Sequence, residues 1–306
     1  MATPPTTTTT TKKSDVDPAV TSAWQSSNVA QRYKAAENAT RPFAAIMASQ
    51  THVAASTGSK RARVFDLACG TGAVEAEIYS ALDRENWSAV EILASDISQP
   101  MLGYLAARGE REGWTGLTTR VVDGKELNMS EEEEELFTHV FVGFGIFVLP
   151  TDTMRKLALL MHPQGALAVS TWATVPWYEL LEETYKRIEN GPEVPSQRQL
   201  WGVLTDGRAW YDASFVELQL REAGLQRVET VQKMVTVDCG TPDVFMTTMG
   251  FVLGMLSKQW SEDVRDKWLN EVEGTMKGIL IEEAGGMDKP VFMEFEGIVG
   301  VGWKGQ

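Results

Sequence analysis

Cysteine is scarce. The chain has two in 306 residues, Cys69 and Cys239, with no Cys-x-x-Cys and no Cys/His cluster. That excludes a disulfide framework and a structural zinc site, and it suits a reducing compartment. Long apolar runs are missing as well: the longest, residues 140–150, is about half of the ~20 residues that a bilayer span needs. Basic charge is in deficit, with 28 Lys and Arg against 42 Asp and Glu and a net charge of −14. A surface of that sign repels phosphate backbones and anionic lipid, and no basic patch stands out to offset it. Neither nucleic acid nor membrane is therefore an expected partner. The first residues, Met-Ala-Thr-Pro-Pro followed by six threonines, lack the apolar stretch of a secretory signal, so a cytoplasmic protein is expected.

What is present is ordinary globular composition, 43% hydrophobic and 23% charged. The length suffices for a core without disulfides and allows one or two domains. Residues 1–20 are rich in Thr and Pro and are expected to be a disordered tail. From residue 23 the pattern is helical, with Trp24, Val29, Tyr33 and Ala36 and, after Pro42, Phe43, Ile46 and Met47. Strand-like segments follow at 63–67, 90–94, 118–122, 138–143 and 165–171, separated by helical stretches. In the first of these stretches Val74, Ile78 and Leu82 recur at helical spacing. Such alternation predicts βαβ units and a parallel sheet covered on both faces. It breaks after Trp172. Residues 176–190 look helical and 192–208 look like loop. A helix is expected at 212–223, stopped by Gly224, and strands at 228–237 and 291–303 flank two or three helices within 242–284. The acid run 131–135 suits a solvated loop. One α/β domain spanning 21–306, with helical insertions at about 173–226 and 240–288, is expected.

The most informative segment is Val64-Phe65-Asp66-Leu67-Ala68-Cys69-Gly70-Thr71-Gly72, an acid inside a strand followed by two glycines in a strand-to-helix turn. Glycine permits positive φ and lets a ligand approach the backbone. A dinucleotide fingerprint wants a third glycine where Glu75 stands, and a carboxylate there opposes a pyrophosphate. The Gly-Lys-Ser/Thr of a nucleotide-triphosphate loop is also missing. An adenosine without phosphates fits better. Asp96 ends the second strand 24 residues beyond Gly72, where an acid accepts both ribose hydroxyls in doubly wound nucleoside folds. Asp123 ends the third, where a carboxylate can accept from an adenine amino group, and Asp66 can face a methionyl ammonium. Each acid taken alone also suits a strand-end or capping role.

The segments starting at Asp66, at Asp96 (Asp-Ile-Ser-Gln-Pro-Met-Leu) and at Val122 (Val-Asp-Gly-Lys-Glu-Leu) resemble the successive motifs of class I S-adenosylmethionine-dependent methyltransferases. The resemblance runs from about Ser22 to the end. It implies a Rossmann-like, seven-stranded sheet whose last strand is antiparallel, with S-adenosyl-L-methionine as cofactor. It also implies Asp66, Ala68 and Gly70 at the methionyl part, Asp96 and Ile97 at the ribose, and Met101, Asp123 and Gly124 at the adenine. A narrower likeness, through Arg32-Tyr33-Lys34, Glu112-Gly113-Trp114, Thr138-His139-Val140, Ser170-Thr171-Trp172 and the 257–260 segment, is to fungal small-molecule methyltransferases of the gliotoxin dithiol S-methyltransferase type. In that group an N-terminal aromatic helix covers the cofactor, and Trp24 and Tyr33 match its aromatic positions. The stretch after the fourth strand, Gly145-Ile146-Phe147-Val148, departs from that group, so the reaction carries over better than the substrate.

A sulfonium methyl is already activated, and most of the acceleration can come from holding the nucleophile in line and excluding water. Thiols need the least help from a base. His52, His139 and His162 are the only histidines, and structural roles suit all three. Glu179 or Glu182 could reach a pocket but suit a solvated helix face. The Asn/Asp-Pro-Pro-Tyr of amino-group methyltransferases and the acidic cluster of a magnesium site are both missing, so no metal is expected. Phe144 is a candidate to pack on the cofactor. Phe147, Trp172 and Trp177 follow strands four and five at the open edge, and Trp201 and Met246 fall in the insertions that could form a lid. Core packing competes at each. Ten tryptophans and 13 methionines together suggest a broad hydrophobic pocket. The expectation is methyl transfer to a hydrophobic small molecule, a fungal-type secondary metabolite, with sulfur the first choice of acceptor and oxygen or nitrogen the second. A cofactor-binding scaffold with a cyclase or binding role is the alternative from a different class.

Overall fold

The computed structural model describes residues 25–27, 29–56, 61–127, 136–191, 193–257 and 260–306. The Thr/Pro-rich tail, Trp24 and the acid run 131–135 lie outside the described residues. The strands are β1 (Ala62–Leu67), β2 (Val90–Asp96), β3 (Leu117–Val121), β4 (Phe137–Gly143), β5 (Met161–Trp172), β6 (Gln226–Asp238) and β7 (Phe292–Trp303). They form one seven-stranded sheet in the order β3-β2-β1-β4-β5-β7-β6. β1 pairs in parallel with β2 and β4, β2 with β3, and β4 with β5, whereas β7 lies antiparallel between β5 and β6. The order reverses at β1, and ligands of open α/β sheets bind in the crevice at the carboxyl ends of the strands there.

The helices are α1 (Val29–Gln50), α2 (Val53–Ser56), α3 (Ala73–Ser80), α4 (Gln99–Glu112), α5 (Thr153–Leu160), α6 (Tyr178–Arg187), α7 (Gln197–Thr205), α8 (Ala213–Glu222), α9 (Pro242–Leu256) and α10 (Glu262–Ala284). Each face of the sheet carries its own apolar core. One joins α1, α3, α4, α9 and α10 to the sheet through Phe43, Met47, Ile78, Leu105, Phe141 and Val299. The other joins α5 and α8 through Phe65, Val140, Leu157, Val216 and Ile298. β7 shows how closely these layers approach. A Cβ at Gly297 would lie 2.6 Å from the Phe43 ring of α1, and one at Gly300 would lie 2.6 Å from Val216 of α8. Those glycines point to opposite faces because side chains alternate along a strand.

Two expectations are corrected. The stretch expected to be loop contains α7, started by a capping box in which Ser196 Oγ accepts from Gln199 N and Gln199 Oε1 accepts from Ser196 N at 2.8 Å. Such a box satisfies two donors that a helix start leaves unpaired. His162 and Pro163, expected in the turn before the fifth strand, lie within the first residues of β5. There Gln164 adopts φ 68° and the β4–β5 register shifts. α8 keeps its expected limits: Asp212 Oδ1 accepts from Ser214 N at 2.8 Å, and Gly224 follows with φ +88°. Among the described residues no helix is long and apolar enough to cross a membrane.

Candidate active site

The carboxyl end of β1 runs into a turn in which Ala68, Gly70 and Gly72 have φ of 60°, 55° and 91°. Gly72 precedes α3 with a φ that residues bearing a Cβ rarely adopt, and a Cβ there would also press on Leu105 Cδ1 at 2.4 Å. Asp96, at the end of β2, ties two turns together: Oδ2 accepts from Gly70 N at 3.0 Å and Oδ1 from Ser98 N at 2.8 Å. Burial raises its pKa, and these backbone donors oppose the rise. Ile97 O accepts from Gln25 Nε2 at 2.8 Å, which brings the segment before α1 to the same edge. Met101 is buried in α4 among Val29, Ala30, Tyr33 and Tyr104. Asp123, just past β3, accepts from Lys125 N at 2.9 Å. At Gly124 a Cβ would lie 2.8 Å from Leu149. The structure thus gathers Tyr33, Asp66, Ala68, Gly70, Asp96, Ile97, Met101, Asp123 and Gly124 around the ends of β1, β2 and β3.

Two carboxyls sit beneath the turn. Asp66 and Glu75 are 1% and 0% exposed, and none of their four oxygens has a hydrogen-bond partner at normal geometry. Burial pushes Glu75 up to about 7, against the lowering effect of a backbone N–H, Asp66 and Arg108. Burial, then Glu75 and Asp96, hold Asp66 well above the usual carboxylate range. Burial also drives the Cys69 thiol upward, with Glu75, Asp96 and Asp66 adding to the shift, so Cys69 is no thiolate nucleophile.

α1 covers this turn. Tyr33 Cε1 lies 3.9 Å from where a Cβ on Gly70 would sit. Burial, with Asp96 and Glu37 nearby, raises its phenol to about 12. One helical turn on, Glu37 accepts from Arg108 Nη1 of α4 at 2.9 Å through both oxygens, and from Thr71 Oγ1 at 2.8 Å. The same Arg108 nitrogen donates to Thr71 O at 2.9 Å. A second pair, Arg41–Glu77 at 2.6 Å, joins α1 to α3. Sequence reasoning missed Glu37 and Arg108, which stand 71 residues apart and show no local pattern.

Phe144 follows β4 with φ 52°, a left-handed conformation costly for a bulky residue and most often met at functional sites. Its ring stacks on Trp172 with centroids 3.9 Å apart and meets Phe43 edge-on at 5.4 Å, and Trp172 also contacts Phe295 at 5.5 Å. Phe147, Trp172, Trp177 and Met246 are half-buried against the same core that holds Trp201. Trp201 is turned toward Tyr211, 5.2 Å away. Phe144 and Trp172 are therefore in direct contact, and the other four share their core.

The histidines lie at the amino ends of the strands. His52, His139 and His162 line one cavity of about 730 Å³ with Arg61, Arg227 and Lys304. That is a local gathering of basic side chains which the sequence did not reveal. Burial lowers His139 to about 4. A neutral buried histidine stabilises the fold above its ordinary value of 6.5, and that stability is lost as pH falls toward 4, roughly 3 kcal/mol in all. Over that range His139→Gln is expected to show a shallower loss of unfolding free energy than the parent. Equal slopes would contradict the assignment. The Asp66–Glu75 pair acts with the opposite sign, since carboxyls with raised pKa lose stability as pH rises, so the difference between the two proteins isolates His139.

A sheet of this order with an antiparallel seventh strand, a glycine turn after β1 and acids ending β1, β2 and β3 define a class I S-adenosylmethionine-dependent methyltransferase. The model of the ubiE/COQ5 methyltransferase family matches residues 27–191, more than half of the chain, and the chain belongs to that family. Methyltransferase tpcH of Aspergillus fumigatus is 26% identical over 72% of this chain and 78% of its own length. Methyltransferase ktnA of Aspergillus niger is 26% identical over 84% and 89%, and the acetylaranotin bis-thiomethyltransferase of Aspergillus terreus is 24% identical over 86% and 90%. S-adenosylmethionine is the cofactor of this family. The site suits it: the buried carboxyls of Asp66 and Glu75, whose oxygens find no partner at normal geometry, call for a cation, and the arginine that bonds to the glycine turn, Arg108, is committed to Glu37.

Proposed function

We propose that the enzyme transfers the methyl group to a hydrophobic small molecule, a fungal-type secondary metabolite, with sulfur as the acceptor atom. Asp66, Ala68 and Gly70 hold the methionyl part, Asp96 and Ile97 the ribose, and Met101, Asp123 and Gly124 the adenine. Tyr33 closes over the turn, and by resemblance Trp24 joins it. S-adenosylmethionine supplies a methyl already activated by its sulfonium. The chain's own residues have to bind, align and exclude water, and the Phe144 ring offers an aromatic face that favours a cation. Phe147, Trp172, Trp177, Trp201 and Met246 line the acceptor side, with α6, α7, α9 and α10 as the covering elements.

The observation that carries the choice of sulfur is the position of the histidines. All three line the cavity at the amino ends of the strands, so no imidazole base serves the carboxyl edge. Thiols are a few per cent thiolate near neutrality and depend least on such a base. The acetylaranotin bis-thiomethyltransferase among the relatives supports the same choice. Incubation with methyl-labelled S-adenosylmethionine and thiol, phenol, acid and amine versions of one hydrophobic scaffold tests it. Label is expected on the thiol. Label confined to the phenol, acid or amine would overturn sulfur, and binding of cofactor with no label on any acceptor would overturn methyl transfer to this class. Trp172→Ala is expected to raise the acceptor KM about tenfold, some 1.4 kcal/mol, with cofactor affinity little changed. Equal losses in both would make Trp172 a core residue only.

A further inference from the structure

Asp66 and Glu75 are the most deeply buried charged side chains among the described residues. Buried polar groups are nearly always paired, and each exception needs a cause. Two carboxylates side by side in a low dielectric cannot both ionise without a compensating charge. The charged and titratable groups around the Asp66–Glu75 pair are Asp96 of β2, Cys69 of the turn, Tyr79 of α3, Glu37 of α1 and Arg108 of α4. Arg108 is the sole cation in that set, and its Nη1 is spent on Glu37, Thr71 O and Gly72 O. Four acids therefore share one cation that is already engaged.

We propose that Glu75 and Asp66 form a carboxyl pair that holds a proton in the ligand-free protein and releases it to solvent when the ammonium end of the cofactor docks. The proposal rests on the assignment of Asp66 to the methionyl end. It makes Glu75, which reads in the sequence only as an obstacle to a pyrophosphate, a cofactor-binding residue that senses charge. The arriving ammonium lets both carboxyls ionise, so binding and proton release are linked, and affinity rises with pH in proportion to the protons released. Burial holds both carboxyls above the usual carboxylate range, so the pair still carries a proton near neutrality, and the two steps belong to the pair rather than to either residue.

Calorimetric titration of the full chain with S-adenosylhomocysteine, in buffers of different ionisation enthalpy, counts the protons. Near pH 6.5 the ligand's own α-amino group, with a pKa of about 7.7–8.0, is charged and contributes little. The wild type is expected to release between about half and one proton per site, with affinity rising up to about tenfold per pH unit. Glu75→Gln is expected to release fewer protons than the wild type and to show a shallower pH dependence of affinity. Binding by the wild type without proton release overturns the proposal even if the variant does not fold. Release by Glu75→Gln equal to that of the wild type overturns it as well. Failure of S-adenosylhomocysteine to bind at all would overturn the cofactor assignment, and the pair's role with it.

Discussion

Arg108→Met is expected to cost about 3–5 kcal/mol of folding stability, the usual penalty for stranding one partner of a buried ion pair. The side chains of Arg108 and Glu37 are 13% and 8% exposed, so the orphaned carboxylate could not turn to water. The loss reaches further than the pair. Arg108 also holds the carbonyls of Thr71 and Gly72, and Glu37 sits one turn from Tyr33, which covers Gly70. Denaturant unfolding and S-adenosylhomocysteine affinity should therefore both fall. Glu37→Gln combined with Arg108→Met should recover part of the stability, because no unpaired charge remains. Arg108→Lys should fall between, keeping the charge but not the planar fork. Stability of Arg108→Met within about 1 kcal/mol of the parent would show that α1 is not held by this pair.

Asp96→Ala carries the second large effect. Loss of charge-assisted hydrogen bonds to ribose hydroxyls should weaken S-adenosylhomocysteine binding by about 1.5–3 kcal/mol, or roughly 10- to 150-fold. The same carboxylate accepts from Gly70 N and Ser98 N, so part of the loss would come from a slackened turn. Asp96→Asn separates the two contributions: it retains one acceptor oxygen for the backbone but loses the charge. Unchanged affinity in Asp96→Ala would sink the ribose assignment.

The sheet was legible because its strands carry local signals. β1 and β2 carry short apolar centres, Val64-Phe65 and Ile92-Leu93-Ala94, that suit strands buried on both faces, and Gly70, Gly72 and Gly224 stand where positive φ is needed. α7 escaped notice because prolines at 192 and 195 and a polar start suggested loop. Ser196 and Gln199 nevertheless carried the capping-box spacing that could have revealed it. The acids at 66, 96 and 123 were legible as strand ends, and their convergence follows from parallel strands turning at a common edge. Glu75 was visible but its burial against Asp66 was not, since that depends on α3 docking over β1. The Glu37–Arg108 pair and the shared cavity of the three histidines arise only from tertiary contacts between distant segments. Local periodicity holds no trace of them.

The most direct test of the account is a crystal structure of the chain with S-adenosylhomocysteine. The predicted result is a ligand lying across the carboxyl ends of β1, β2 and β3 beneath Tyr33, with its ribose hydroxyls on Asp96, its adenine beside Met101, Asp123 and Gly124, and its ammonium facing Asp66. A ligand bound elsewhere, or one at this edge with its ribose turned away from Asp96, would contradict it.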